Sequence, residues 1–113
     1  MNKERLTKLA QHLLTVPPEK LKMHNWTCGT AACAVGHACA MPEFKAEGLA
    51  LSHSNKYPVL TTIYASGWNA VEAFFDISYE AAQYLFSHEH YFVQPTPREV
   101  SERIAEFAGR ADT

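Results

Sequence analysis

The sequence lacks a surplus of positive charge, a long hydrophobic run and a rich set of cysteines, and each shortage disfavours a class of protein. Its 113 residues carry a net charge of −2, whereas a generic nucleic-acid binder needs a basic surface, so we expect no nucleic-acid partner. No window reaches the roughly 18 apolar residues of a membrane span. Residues 1–5 lead into an amphipathic stretch instead of the apolar segment of a signal peptide. We therefore expect a cytoplasmic protein without a membrane segment.

Recognisable catalytic signatures are equally scarce. The glycines form no phosphate-binding loop, no Gly-x-Ser-x-Gly elbow is present, and no pair of carboxylates shows a dependable spacing. The three cysteines are too few for a disulfide framework, and in a reducing cytoplasm thiols usually stay reduced. These shortages favour a non-enzymatic role over a catalytic one, and they predict no bound cofactor.

What is present is an ordinary globular composition, with 47% apolar and 19% charged residues. This predicts a single helical domain over residues 1–113. The fold class is mainly α, a compact bundle of about five short helices around a central apolar helix. Two apolar runs are compatible with a small two-stranded hairpin near 49–64. The predicted helices cover residues 3–15, 30–40, 68–75, 79–87 and 96–108.

The central helix, 30–40, is apolar all round, which is typical of a buried helix. Thr30 is a good N-cap, and at 100° per residue Cys33 and His37 lie 40° apart, one turn from each other, so their side chains can meet. The same helical spacing places Cys39 on a different side of the helix from Cys33. Cys28 precedes the helix, where unpaired N–H groups and the helix dipole would favour a thiolate.

Three interpretations of these residues stay open. In the first, the cysteines are small core residues and His37 is hydrogen-bonded inside. In the second, the chain holds a zinc ion, for which the spacing of a helical Cys–His pair is suitable. In the third, Cys28 or Cys33 acts with His37 in a cysteine-dependent enzyme or redox protein. The candidate metal ligands are Cys28, Cys33, His37, His88 and His90.

Aromatic residues are numerous for this length, and most must lie in the core. Three of them flank predicted loops and could line a surface that binds a partner. These candidates are Tyr79, Tyr91 and Phe92.

The sequence motifs that contain the cysteines and several of the aromatic residues resemble those of a family of small uncharacterised bacterial and phage proteins. The shared pattern is an aromatic residue followed by Cys-Gly-Thr-x-x-Cys-x-x-Gly-His/Trp-Ala, here Trp26, Cys28, Gly29, Thr30, Cys33, Gly36, His37 and Ala38. Further matches are Ala73–Phe75, Ala82, Leu85–Phe86, Thr96, Pro97, Val100, Arg103 and Ile104. The resemblance covers residues 23–107 and brings no reaction, cofactor or substrate. It implies a bacterial or phage origin, and it suggests that Cys28 and Cys33 matter together.

The leading hypothesis is a helical accessory protein that binds another protein in a bacterial cytoplasm, either bacterial or phage-encoded and directed at a host factor. The cysteine-dependent protein and the small zinc-binding domain are its alternatives.

Overall fold

The computed structural model describes most of the chain. For residues 27, 28, 31, 32, 88 and 110 it describes the backbone and not the side chain. The described ranges are 1–21, 27–28, 31–52, 57–91 and 93–110.

Helices account for most of the described residues, and the expected mainly α fold is confirmed. In chain order the α-helices are α1 (Lys3–Leu13), α2 (Ala34–Ala40), α3 (Pro42–Ala46), α4 (Gly67–Phe75), α5 (Tyr79–Phe86) and α6 (Pro97–Arg110). Short 3-10 turns lie at Pro18–Lys20 and His88–His90.

Two small antiparallel sheets complete the described structure. The strands are β1 (Thr27–Cys28), β2 (Ala31–Ala32), β3 (Leu49–Leu51), β4 (Pro58–Leu60) and β5 (Ala65–Ser66). One sheet pairs β1 with β2, and the other has the order β3-β4-β5. The predicted hairpin is confirmed as the β3–β4 pair, although the run that was expected to continue to residue 64 turns back after Leu60 and forms a third strand.

The start of the central helix was predicted wrongly. Thr30 lies outside the described residues, and α2 begins only at Ala34 because Cys33 has an extended backbone, with φ −72° and ψ 176°, and is the N-cap. Residues 31–32 form β2. Their backbones pair with β1 and therefore do not form the first turn of a helix. The helix propensity of alanine is a weak preference that such pairing overrides.

Other local predictions are confirmed in detail. Thr96 and Glu99 form the expected capping box at the start of α6, with the Thr96 N–H donating to Glu99 Oε1 at 2.9 Å and the Glu99 N–H donating to Thr96 Oγ1 at 3.1 Å. The Ser78 hydroxyl accepts from the Ala81 N–H at the start of α5.

The core draws on every α-helix and on β3 and β4. Its largest side chains are four fully buried phenylalanines whose rings meet mostly edge to face, at centroid distances of 4.9 to 6.1 Å. They come from α3, α4 and α5, and they are Phe44, Phe74, Phe75 and Phe86.

The first and last helices pack along each other. Within their contact Ser101, 5% exposed, donates from its hydroxyl to the Ala10 carbonyl at 2.6 Å. That carbonyl belongs to the last turn of α1. The carbonyls of the following residues, 11–13, accept hydrogen bonds from backbone N–H groups three residues later in the chain. Ser101 thus supplies a partner to a carbonyl at the end of a neighbouring helix.

Candidate functional site

Cys33 lies at the start of α2 as a buried thiol. Its Sγ accepts a hydrogen bond from the Gly36 N–H at 3.4 Å, which is the bond of an N-cap residue. Burial raises the pKa of Cys33 to about 11, although the hydrogen bond from Gly36 opposes the rise. The thiol is therefore protonated at neutral pH, whereas a catalytic cysteine needs a lowered pKa.

Cys39 is also a buried thiol. Burial is the main cause that raises its pKa to about 12, and the charge that Cys33 would carry as a thiolate contributes to the rise. The count of 100° per residue placed the two cysteines on different sides of one helix. Cys33 precedes the helical backbone, so the count of 100° per residue does not apply to it.

His37 is half-buried on α2 and bonded to the preceding part of the chain. Its Nε2 lies 2.7 Å from the Lys20 carbonyl oxygen. Because a carbonyl only accepts, Nε2 must carry its proton and donate. The neutral ring then keeps Nδ1 as its sole acceptor, and metal coordination through Nε2 would require the bond to Lys20 to break.

The remaining predicted ligands are only partly described. The side chains of Cys28 and His88 lie outside the described residues, whereas His90 is exposed and its ring meets that of Tyr84 at 6.4 Å. Among the side chains that the structure describes, no group of three or more His, Cys, Asp or Glu could hold a metal ion. Two of the five predicted ligands, Cys33 and His37, have described side chains with backbone partners, so a zinc ion there would bind Cys33 as a thiolate and His37 through Nδ1.

The three predicted partner-binding aromatics have different surroundings. Tyr79, the first residue of α5, is 55% exposed, as a partner contact requires. Tyr91 is mostly buried, and its hydroxyl donates to the Leu85 carbonyl at 2.9 Å. Its ring packs on the Arg103 guanidinium at 3.8 Å, and burial raises the pKa of Tyr91 to about 12. Phe92 lies outside the described residues.

Tyr64, the most exposed large hydrophobic residue among those that the structure describes, lies where the sequence predicted a strand. The turn Thr61–Tyr64 joins β4 to β5, and its residues are all exposed. Ile63 is 58% exposed and Tyr64 is 96% exposed. We call these residues, 61–64, the hairpin tip. Sequence reasoning missed it because the β-branched run before Ala65 is typical of a strand.

Tyr64 has a backbone conformation that suits few residues. Its φ is +57°, in the left-handed region that glycine and asparagine tolerate best. Such a conformation costs an L-residue roughly 1–2 kcal/mol. Because Tyr64 is 96% exposed, the residue buries almost nothing to offset this cost.

The other end of the hairpin tip is held against the turn between α3 and β3. The backbone N–H of Thr61 donates to the Gly48 carbonyl at 2.9 Å, and its hydroxyl donates to the same oxygen at 3.2 Å. Gly48 has φ +103°, and a Cβ at this position would lie only 2.9 Å from Thr62 Cγ2. The close approach therefore requires glycine, and it fixes the start of the tip.

Within the described part of the chain, no helix is long and apolar enough to cross a membrane. No known protein family, curated protein or solved structure matches the chain.

Proposed function

We propose that this chain is a small accessory protein of a bacterial cytoplasm that acts by binding another protein, and that the hairpin tip is its contact surface. The observation that carries this proposal is Tyr64, a bulky residue in a left-handed conformation with its ring in solvent. Residues held in sparsely populated backbone conformations are concentrated at binding and active sites.

The chemistry of the tip supports the same role. Tyrosine is enriched at protein interfaces because it offers a large apolar area at a low cost in side-chain entropy, together with a hydroxyl group. Ile63 adds an exposed aliphatic side chain beside it. The resemblance described above favours a bacterial or phage setting, in which the partner would be a host protein.

The cysteine-dependent and zinc-binding alternatives have less support. Either could use Cys33, but its raised pKa suits a packed residue better than a nucleophile. Cys28 stays their main candidate. Alkylation of Cys28 at graded pH and zinc analysis of the purified protein test these alternatives directly.

Affinity capture from bacterial lysate tests the leading proposal, with the Tyr64→Asn and Tyr79→Asn variants run beside the unchanged protein. We expect one protein to be captured in stoichiometric amount, lost with Tyr64→Asn and kept with Tyr79→Asn. Loss only with Tyr79→Asn would move the contact surface to α5. Failure to capture any protein above the background of an unrelated bait would contradict the proposal.

A further inference from the structure

The hairpin tip lies in a stretch that carries no charge. No Asp, Glu, Lys or Arg occurs in residues 57–71, between Lys56 and Glu72, although at the 19% average of the chain about three would be expected there. The structure describes all of these residues, and the tip is their most exposed part. The segment that carries Ile63 and Tyr64 is therefore uncharged as well as exposed.

The tip is also fixed in shape before any partner arrives. The Gly48 carbonyl accepts two hydrogen bonds from Thr61, one from the backbone and one from the side chain. On the other side, Leu60 pairs with Ala65 and closes the turn. A loop held at both ends loses little conformational entropy on binding, which favours recognition by shape.

We infer that the partner presents an uncharged apolar pocket that receives the side chains of Ile63 and Tyr64, an inference that rests on the proposed function. Charged groups are depleted from the cores of protein interfaces, where aromatic anchors fill pockets. Because the tip offers no charge for a complementary charged surface, binding depends on shape and on apolar area.

A lipid surface fits the tip less well than a protein pocket does. Peripheral membrane anchors combine apolar side chains with Lys or Arg that attract anionic headgroups. No residue of 57–71 supplies such a cation, and the chain as a whole has a net charge of −2. A protein pocket is therefore the occupant that the charge distribution favours.

The inferred pocket predicts a specific dependence on salt. Ions screen charge pairs strongly at about 1 M ionic strength, where the Debye length falls to about 3 Å, but they do not weaken apolar contact. Binding through the tip should therefore persist at high salt. A charged residue placed within the tip should abolish it, because the charge would have to enter the pocket without a partner.

A photo-crosslinking experiment tests this with the full-length chain, in which p-benzoylphenylalanine replaces Tyr64 and keeps an aromatic ring at that position. The protein is irradiated in bacterial lysate at about 0.1 M and about 1 M NaCl, concentrations that span weak and strong screening. We expect one crosslinked protein, with a yield that changes by less than about twofold between them. Peptide mapping should place the crosslink among apolar residues of that protein.

Two second-site variants of the crosslinking protein make the test specific. Ile63→Asp should reduce the yield at least about tenfold, as loss of a central contact does. Thr61→Val removes the hydroxyl bond to the Gly48 carbonyl but keeps the side-chain shape, and it should reduce the yield several-fold without unfolding the protein. Thr15→Val, which removes a similar hydroxyl bond to the His12 carbonyl after α1, is the matched control and should leave the yield unchanged.

The possible failures are distinguishable. A crosslink that disappears at high salt, or that maps to a charged surface, would overturn the apolar pocket and leave the proposed protein-binding function standing. No crosslink at either salt concentration would contradict the proposed function itself. Cosedimentation with phosphatidylserine–phosphatidylcholine vesicles, abolished by Ile63→Asp, would assign the tip to a membrane and overturn both.

Discussion

Replacement of Tyr64 by asparagine should make the protein more stable. The left-handed backbone, with φ +57°, costs tyrosine roughly 1–2 kcal/mol, and asparagine tolerates it better. Tyr64 is 96% exposed, so removal of its ring sacrifices almost no buried area. After allowance for residual strain, we expect Tyr64→Asn to raise the free energy of unfolding by about 0.5–1 kcal/mol and Tm by roughly 2–8 °C. Tyr64→Gly should raise the free energy of unfolding by less than Tyr64→Asn does, because glycine also increases the conformational freedom of the unfolded chain.

Urea denaturation followed by circular dichroism measures the free energy, and calorimetry measures Tm. The matched control is Tyr79→Asn, since Tyr79 is 55% exposed but begins a helix and has no left-handed strain to release. This control should change the free energy by no more than about 0.5 kcal/mol. A loss of about 1 kcal/mol or more with Tyr64→Asn would show that the ring stabilises the fold, and the inference from strain to function would then fail.

Three further predictions concern the core and its thiols. Ser101→Ala should lower the free energy of unfolding by about 1–3 kcal/mol, measured by urea denaturation, because the Ala10 carbonyl loses its 2.6 Å bond. Gly48→Ala should lower it by at least about 1–2 kcal/mol in the same assay, because φ is +103° and the new Cβ would meet a threonine methyl group at 2.9 Å. Cys33 and Cys39 should resist Ellman's reagent in the folded protein, and stability should fall as pH rises above 9.0, because thiols of the unfolded chain ionise there while the folded pKa values are about 11 and 12.

Controls on the same elements sharpen these predictions. Glu102→Ala, next to Ser101 but exposed, should be nearly neutral, so an equal loss in both variants would contradict the role of the buried hydroxyl. Gly109 in α6 has nothing within 4 Å of an added Cβ, so Gly109→Ala should stabilise by about 0.5–1 kcal/mol. If Gly48→Ala behaved in the same way, Gly48 would not be needed for the close approach. Thiols that react at once near pH 7, before unfolding, would contradict their burial.

Local chemistry made much of the fold predictable. The capping box of Thr96 and Glu99 and the N-cap at Ser78 are local signals, and both are present as expected. The start of α2 was not predictable in this way, because the choice between helix and strand at residues 31–32 depends on pairing with β1. Thr30 has the chemistry of an N-cap, yet it is Cys33 that accepts the capping bond.

The candidate site was harder to predict than the fold. Residues 59–64 contain no Gly, Pro, Asn or Asp to indicate a turn, so their β-branched composition predicted a strand. The left-handed φ of Tyr64 is a property of the folded backbone that no residue type in the run suggests. For His37, the sequence supplied the idea of an internal hydrogen bond, but its partner, the Lys20 carbonyl, lies 17 residues away and could be identified only in the fold.

The packing of α1 against α6 has a consequence for synthesis on the ribosome. The bond from Ser101 to Ala10 spans 91 residues of chain, so the apolar face of α1 emerges long before the helix that covers it. At roughly 5–20 residues per second this delay lasts about 5–20 seconds. During that time the leucines Leu6, Leu9 and Leu13 of the nascent chain are open to chaperones or to aggregation, and their apolar face is covered only once α6 has emerged.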